Sequence, residues 1–303
     1  MEYAKSKNLT DRQRLEVKQL VEEVHEFDDS KKAPYLSNQF NFYPQMPTFF
    51  SARSAGKLVG FAMLYADGDT TESVDVFMIV APQSRRQKIG TKLWQNAYRV
   101  LREFGYQKWE FISEKSFLDR NPDFLSNLSL EADADPEYQM RLSKNEQEFM
   151  VTRADLEIRL LESKDIPTLV PIYKESFPES STKEAATYLT KGLADAANKN
   201  FVLVYDKKIV GYCSVDVSTE VEYYLYGVFV AKKYRNQGFA RNLIVKVINW
   251  FPANNLQRRD CVLAVDGSNP IALHLYKSIG FKAEAEVYYL YGETINWPSF
   301  IEF

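Results

Sequence analysis

The stretch that decides the fold reads VFVAKKYRNQGFARNLIVKV and runs from Val228 to Val247. Its apolar start is typical of a buried strand, and its second half carries apolar residues at helical spacing. We therefore predict a strand that ends at Val230, a turn that contains Gly238, and a helix that begins inside this turn. A helix N-terminus leaves backbone N–H groups unpaired and carries partial positive charge, which suits a diphosphate. Gly238 lacks a Cβ, so the backbone can approach such a group closely.

A second stretch, NPIALHLYKSIGF, begins at Asn269. Asn269 and Pro270 are typical of a helix start, and Gly280 is typical of a helix end. Asn269 and Tyr276 are seven residues apart. This separation is about two helical turns, so the two side chains share a face. The pattern is equally compatible with Tyr276 as a half-buried tyrosine of the core.

The chain contains one unit twice. KLVGFAMLYADG starts at Lys57 and KIVGYCSVDVST starts at Lys208, and each precedes a strand, an arginine-containing turn and a helix. Arg85 and Arg235 are 150 residues apart, which is too long a period for a solenoid. We predict two tandem domains, residues 1–152 and 153–303, with a boundary near residues 150–156.

The second domain reads as a strand, two helices, three strands, a helix, a strand, a helix and a final strand pair. This order predicts an α/β (α+β) fold with a mixed sheet and helices on its faces. The apolar stripe Ala240, Leu243, Ile244, Val247, Ile248 and Phe251 predicts one buried face for the helix after the decisive turn.

The pair of motifs R-x-x-G-x-A and N-x-x-A-x-x-L-Y-x-x-x-G-F resembles the GCN5-related N-acetyltransferase (GNAT) superfamily over residues 156–292. The resemblance implies tandem domains, each a mixed, mostly antiparallel twisted sheet with helices on both faces. It also implies acetyl-CoA as co-substrate and an amine as acceptor, with no metal. The implied acetyl-CoA-binding residues are Phe229, Val230, Arg235, Asn236, Gln237, Gly238, Phe239, Ala240, Asn269 and Tyr276.

The chemistry of the transfer adds candidate catalytic residues. A backbone N–H near Val230 can polarise the thioester carbonyl, and the Tyr276 hydroxyl can protonate the departing thiolate. Glu220 and Glu222 are two residues apart on a strand and share a face. We predict Glu222 as the general base; the alternative is a solvated strand carboxylate. His274 is predicted to be structural.

The first half departs from the motifs. Lys88 takes the place of Gly238, Leu125 that of Tyr276, and Ser129 that of Gly280. A lysine either crowds the phosphate-binding turn or reaches out as a cation, so phosphate binding is weakened rather than excluded, and a leucine cannot donate a proton. We predict that residues 1–152 form a degenerate, non-catalytic GNAT-like domain. The alternative is a second working site with altered chemistry.

Composition excludes several classes of function. Lys and Arg total 38 against 41 Asp and Glu, a net charge of −3, so nucleic acid is a poor partner. Cys213 and Cys261, with His25 and His274, predict neither a disulfide framework nor a zinc site. The charged N-terminal residues lack a signal-peptide pattern, and no long apolar run predicts a membrane span. We expect a cytoplasmic protein, a monomer or homodimer.

The sequence therefore predicts an N-acetyltransferase in which the acceptor amine attacks the acetyl-CoA thioester directly, with the active site in the second domain. The alternatives are a non-catalytic acyl-CoA-binding or sensor protein and a transferase for longer acyl groups. Glu220, Glu222 and the neighbouring tyrosines favour a cationic small-molecule or peptide amine. A polyamine, an aminoglycoside, an amino acid and a protein amine all stay open. The closing residues 293–303 are apolar enough to pack on a neighbouring surface.

Overall fold

A computed structural model of the chain describes residues 1–146 and 150–292. The chain forms two compact units. Unit 1 comprises Met1–Glu137 together with the chain from Ala285 onward, and unit 2 comprises Tyr138–Glu284. The closing segment 293–303, predicted to pack on a neighbouring surface, lies outside the described residues.

Unit 1 places helices around an open sheet. Its elements in chain order are β1 (Glu2–Ser6), α1 (Asp11–Asp28), β2 (Phe49–Ser54), β3 (Lys57–Tyr65), β4 (Ser73–Val80), α2 (Ile89–Glu103), β5 (Lys108–Glu114), α3 (Lys115–Arg120), α4 (Phe124–Leu128) and β6 (Glu131–Ala132). The strands are ordered β1-β2-β3-β4-β5. Neighbouring strands run antiparallel except β4 and β5, which pair in parallel.

Unit 2 repeats this plan. The chain enters it through β7 (Glu137–Leu142), followed by β8 (Leu156–Leu160), α5 (Ile166–Ser176), α6 (Thr182–Ala194), β9 (Asn198–Tyr205), β10 (Lys208–Asp216), β11 (Glu222–Val230), α7 (Phe239–Ala253), β12 (Asp260–Asp266), α8 (Pro270–Ile279) and β13 (Lys282–Tyr291). The order is β7-β12-β11-β10-β9-β8, antiparallel from β8 to β11 and parallel between β11 and β12.

Helices cover both faces of the sheet in unit 2. One core cluster joins α7 and α8 to the strands, and it includes Leu243, Val247 and Phe251. A second cluster joins α5 and α6 to the other face through Leu169 and Leu189. Two tandem units with mixed, mostly antiparallel sheets confirm the predicted fold class. The predicted buried face of α7 is also confirmed, apart from Ala240, which is half-buried.

Two boundaries differ from the sequence-based expectations. Residues 138–146 and 150–152 belong to unit 2, whereas the residues of β13 from Ala285 onward belong to unit 1. Residues 285–291 are part of a single strand, β13, and not of a strand pair. A repeat in the sequence marks similar segments, but it does not say which strand completes which sheet.

Candidate active site

The strand β11 has an open edge in unit 2. Its parallel pairing with β12 covers Glu222–Tyr224 against Asp260–Val262. The rest of β11, Leu225–Val230, continues without a β12 partner among the described residues. Backbone groups on this edge can therefore hydrogen-bond an extended ligand in the way that a strand would.

A β-bulge interrupts β11 next to this open edge. Tyr212 pairs with Phe229 and Ser214 pairs with Tyr226, so β11 has one residue more than β10 in this interval. Gly227 lies inside the bulge at φ +61°. A bulge leaves the extra residue outside the hydrogen-bond ladder between the strands and changes the direction of the backbone. The bulge thus supplies backbone N–H groups that β10 does not use.

The turn after β11 has the geometry of an anion site. Gly238 is the N-cap of α7, with φ +78° in the left-handed region. A Cβ on Gly238 would meet the Asn242 amide nitrogen at 3.7 Å, which is ordinary contact, so this side of the turn is open. The first N–H groups of α7 have no partner within the helix. The residues present at this turn fit the diphosphate of CoA.

Arg235 connects this turn to the rest of unit 2 through hydrogen bonds. Its Nε donates to the Val230 carbonyl at 3.0 Å, and its Nη2 donates to the Glu175 carbonyl and the Ser176 hydroxyl of α5. The Lys232 N–H donates to the Glu175 carboxylate at 2.8 Å. The sequence predicts Arg235 as a charge for phosphate. The structure shows that two of its three guanidinium nitrogens bind protein groups, so its contacts position the turn.

The other predicted residues of the turn have different surroundings. Asn236 is in the left-handed region at φ +59°, and the Gln237 amide donates to the Lys233 carbonyl. Phe239 is buried, with the guanidinium of Arg153 4.5 Å from its ring centroid. Phe239 and Ala240 are the first two residues of α7.

The ends of β11 and β12 bring the remaining predicted binding residues to the site. The side chains of Phe229 and Val230 are buried on opposite faces of the sheet. Asn269 caps α8, because its side chain accepts a hydrogen bond from the Ala272 N–H at 3.0 Å. The predicted helix from Asn269 to Gly280 is confirmed, and Gly280 adopts φ +110° at its end.

Tyr276 lies on α8, buried in the core of unit 2 and 9% exposed. Its hydroxyl has no hydrogen-bond partner within the described part of the chain. Burial raises the pKa of Tyr276 well above its usual value, and the neighbouring Cys213 and Tyr224 raise it further. The phenol therefore stays protonated at neutral pH, next to β10 and β11.

Glu222 starts β11, in an ion-pair cluster around Arg141. The Arg141 guanidinium lies 3.0 Å from Glu222, 3.2 Å from Asp260 and 2.6 Å from Glu284. Glu222 and Val228 are six positions apart on the strand, roughly 20 Å at the usual rise. The structure thus places the predicted base at the opposite end of β11 from the bulge.

Sequence reasoning missed Asn242, which is fully buried in the first turns of α7. Its amide nitrogen donates to the Gly238 carbonyl at 2.8 Å, and its oxygen accepts from the Thr152 and Arg153 N–H groups. The signal was an asparagine within an apolar helical stripe, since a buried amide needs partners. Asn242 ties the chain before β8 to the turn.

An aromatic cluster over the bulge was also missed. The Tyr188 hydroxyl of α6 lies 2.7 Å from the place that a Cβ on Gly227 would take. Tyr173 of α5 contacts both Tyr188 and Phe229, with ring centroids 5.3 Å and 5.6 Å apart. Only the packing of α5 and α6 on the sheet brings these rings to β11.

The corresponding positions in unit 1 show which features were lost. Lys88 is the N-cap of α2 at φ +62°, and Ser129 ends α4 at φ +54°. These conformations match Gly238 and Gly280, which supports the alignment of the two halves. The α4 helix that carries Leu125 has only five residues, and β3 pairs with β4 without a bulge. Unit 1 therefore lacks a counterpart of the Tyr276 hydroxyl and of the bulge in β11.

Comparison with known proteins agrees with this geometry. The model of the acetyltransferase (GNAT) family matches residues 14–119 and 166–281, one region in each half of the repeat. This chain belongs to the GNAT family. The family generally uses acetyl-CoA as co-substrate, and membership supports acyltransferase activity. No curated protein matches the chain.

Solved structures show the same tandem fold. A GCN5-related N-acetyltransferase from Sphaerobacter thermophilus is 15% identical, with a TM-score of 0.69 over 95% of this chain and 94% of its own. A tandem GNAT protein from the clavulanic acid biosynthesis pathway is 16% identical, with a TM-score of 0.69 over 95% and 97%. A GNAT-family acetyltransferase from Colwellia psychrerythraea is 13% identical, with a TM-score of 0.60 over 97% and 100%. These likenesses establish a tandem GNAT fold.

Two other kinds of feature, metal-binding clusters and membrane-spanning helices, are absent from the part of the chain that the structure describes. Residues 1–146 and 150–292 contain no group of three or more His, Cys, Asp or Glu side chains that could hold a metal ion. In the same residues, none of the helices combines the length and apolarity that a membrane crossing requires.

Proposed function

We propose that this protein is an acetyl-CoA-dependent N-acetyltransferase whose active site lies in unit 2. The observation that carries the proposal is the open, left-handed Gly238 turn between the unpaired edge of β11 and the N-terminus of α7. The N-terminus of α7 offers N–H groups to a diphosphate, and the adjoining edge of β11 offers backbone groups to an extended chain attached to it.

The binding residues follow from this arrangement. The backbone N–H groups of Gln237–Ala240 hold the diphosphate, and the β11 edge at Phe229 and Val230 hydrogen-bonds the extended pantetheine arm. Arg235 and Asn242 hold the turn in place through the hydrogen bonds described above. Bound acetyl-CoA supplies the thioester whose acetyl group is transferred to the acceptor amine.

Chain residues supply the polarisation and the proton. The N–H groups that the bulge leaves free stabilise negative charge on the carbonyl oxygen. The Tyr276 hydroxyl, which is protonated at neutral pH, donates to the departing sulfur. The burial that raises the pKa of Tyr276 makes it a weaker acid, and the same apolar surroundings raise the pKa of a thiol as well.

We keep Glu222 as the proposed general base, reached from the amine through water. In this role Glu222 has to accept the proton of the amine while its carboxylate is paired with the Arg141 guanidinium. The alternative role is structural, since the cluster joins residues of β7, β11, β12 and β13.

The acceptor that we propose is a cationic amine, on a small molecule or a peptide. Three carboxylates surround the guanidinium of Arg141, and the guanidinium of Arg259 lies over the Tyr223 ring at the same end of β11. Tyr224 and Tyr226 follow on the same strand, with ring centroids 6.5 Å apart. Carboxylates attract an ammonium group, and aromatic faces bind it. Both cysteines are free thiols, which fits the cytoplasm as the proposed location.

The test is a calorimetric titration of the whole chain with acetyl-CoA, in the native protein and in Gly238→Lys. We expect one site per chain in unit 2 and at least tenfold weaker binding in the variant, because lysine crowds the turn. Gly238→Asn is the matched control, since asparagine tolerates the left-handed conformation and is shorter. We expect its affinity to fall between the other two. An amine screen for acetylated product follows.

Two results would overturn the proposal. If native protein does not bind acetyl-CoA, the co-substrate is wrong. If Gly238→Lys binds as tightly as native protein, the diphosphate is bound elsewhere. Thermal unfolding of each variant identifies a loss of binding that comes from unfolding.

A further inference from the structure

Unit 2 has a groove of about 900 Å³ on the face of the sheet that α5 covers. One wall consists of α5 and the residues just before it, and the other wall combines the turn between β9 and β10 with the turn after β11. Helix α7, which begins at the Gly238 turn, packs on the opposite face. A volume of this size accommodates a small-molecule ligand.

The antiparallel pairing of β10 and β11 collects lysines at this groove. The start of β10 and the end of β11 meet at one end of the sheet, where the Ala231 N–H donates to the Val210 carbonyl at 2.8 Å. Two exposed lysines come from the turn before β10 and two from the turn after β11, and all four line the groove: Lys207, Lys208, Lys232 and Lys233.

The carboxylates of the lining do not offset these lysines. Asp165 accepts hydrogen bonds from both terminal nitrogens of Arg159, at 2.6 and 2.9 Å, so these two charges neutralise each other. The other carboxylate, Glu175, accepts the Lys232 N–H at 2.8 Å. The lining therefore carries three positive charges in excess, in a chain whose net charge is −3. We name this feature the basic groove.

The lysine side chains have little to bind within the protein. The ammonium groups of Lys207, Lys208 and Lys232 make no hydrogen bond or ion pair with a described residue. The fourth ammonium lies 4.7 Å from the ring centroid of Tyr234. Asp206 precedes Lys207 in the turn but does not line the groove. A cleft with walls of one charge concentrates ligands of the opposite charge, so the basic groove favours an anion with several charges.

Unit 1 shows that the fold does not require these lysines. It forms the same hairpin between β2 and β3 and the same single turn after β4. At the positions that correspond to the four lysines, unit 1 has three uncharged residues, Gly56, Pro82 and Gln83, and one lysine, Lys57, which pairs with Glu23 at 3.3 Å. The excess charge is therefore a property of this surface of unit 2.

We propose that the basic groove binds a chain of phosphate groups, either as free polyphosphate or as the phosphates of a nucleoside triphosphate. An ammonium group binds phosphate as a point charge, and consecutive phosphates supply several negative charges within one small ligand. Ile172 and Ile209 add apolar surface that is available to a nucleoside. The groove lies outside the Gly238 turn, so this proposal does not depend on acetyl transfer.

One lysine from each turn gives a variant that removes a charge and keeps the fold. Lys208→Gln and Lys232→Gln change exposed side chains, and the hydrogen bond from the Lys232 N–H to Glu175 remains because it uses the backbone. Lys246→Gln is the matched control, since it makes the same change of charge on α7, on the opposite face of the sheet.

The experiment titrates the whole chain with tripolyphosphate, ATP and citrate by calorimetry, without divalent cations and with acetyl-CoA present to occupy the Gly238 turn. We expect one site for tripolyphosphate, with affinity about three- to fivefold weaker in each single variant and at least tenfold weaker in the double variant. Lys246→Gln should stay within about 1.5-fold of native protein, and citrate should bind at least tenfold more weakly.

ATP distinguishes the two sources of the phosphate chain. Binding of ATP at least tenfold tighter than that of tripolyphosphate identifies a nucleotide as the ligand, because the nucleoside then contributes contacts of its own. A smaller difference, or weaker binding of ATP, identifies free polyphosphate.

Four results would overturn the proposal: no binding of tripolyphosphate, equal binding in native protein and the double variant, equal binding of citrate, or a loss of acetyl-CoA affinity in the double variant. The last result would assign the lysines to the phosphates of CoA. Failure of the proposed function is distinct, because native protein would then not bind acetyl-CoA while the comparison of the lysine variants still locates the tripolyphosphate.

Discussion

At the scale of single residues, the packing around Tyr276 determines which ligand its hydroxyl can reach. Its ring packs against Phe281 in the core of unit 2, with centroids 5.8 Å apart. Its hydroxyl has no protein partner among the described residues, so it is available to a ligand. A buried polar group without a partner costs free energy unless something binds it.

We expect Tyr276→Phe to lower kcat by ten- to a thousandfold and to leave the Kd for acetyl-CoA within about twofold, because the hydroxyl acts as the proton donor. Steady-state kinetics and calorimetry measure the two quantities. Tyr223→Phe is the control, since Tyr223 is a buried tyrosine of the same core whose hydroxyl binds the Gln257 carbonyl. Equal kcat in native protein and Tyr276→Phe would contradict Tyr276 as the proton donor, and binding of acetyl-CoA without turnover in either protein would favour a non-catalytic acyl-CoA-binding protein.

Asp75 makes the stability of unit 1 depend on pH. Burial raises the pKa of Asp75 to about 7, and Asp67 and Glu110 raise it further. The unfolded chain has an ordinary aspartate, so between about pH 4 and 7 the folded state binds the proton that the unfolded state releases. This carboxyl therefore makes the protein less stable as pH rises through that range.

We expect Asp75→Asn to raise Tm at pH 8 and to have a much smaller effect at pH 4, because the amide does not ionise. Thermal unfolding at the two pH values measures the difference. Asp119→Asn is the control, an exposed carboxylate that pairs with Lys115. A gain in Tm that is the same at both pH values would contradict the assignment.

At the scale of elements, Arg141 joins strands that are far apart in sequence. It reaches Glu222, Asp260 and Glu284, and Gln139 donates to Glu284 as well. The cluster is partly exposed, so each pair contributes at most about 1 kcal/mol to stability. The proposed base is thus part of a structural cluster.

Two variants distinguish a catalytic role of Glu222 from a structural one. Glu222→Gln and Asp260→Asn each remove one carboxylate from Arg141, and we expect each to lower the free energy of unfolding by about 1 kcal/mol or less. If Glu222 is the base, Glu222→Gln alone lowers kcat at least tenfold and changes the pH profile of kcat/KM. Equal kcat in the two variants would assign Glu222 to structure only.

Local patterns predicted the elements around the site correctly. The turn between β9 and β10 places Asp206 and Lys207 in the left-handed region, as expected of a tight hairpin. The apolar stripe predicted the buried face of α7, and Asn269 caps α8. The bulge at Gly227 was not predicted, because it depends on the register between β10 and β11.

At the scale of the whole molecule, the repeat predicted two similar units, and the family match to both halves confirms a tandem GNAT protein. The division of the chain differs from the expected boundary, since β7 residues from Tyr138 onward belong to unit 2 and Ala285 onward belongs to unit 1. The functional roles of the two halves stay predictions. The titration of native protein and Gly238→Lys with acetyl-CoA tests them.

The sequence by itself determined the tandem fold, the strand–turn–helix around Gly238 and the helix of Tyr276. These features depend on neighbours within a few residues: the periodicity of apolar side chains, a helix cap, a glycine at a left-handed position. Only the tertiary structure decided that Arg235 binds α5, that Arg141 binds Glu222, and that Asn242 binds the chain before β8. Such contacts join residues distant in the chain, and their geometry is set by how strands and helices pack.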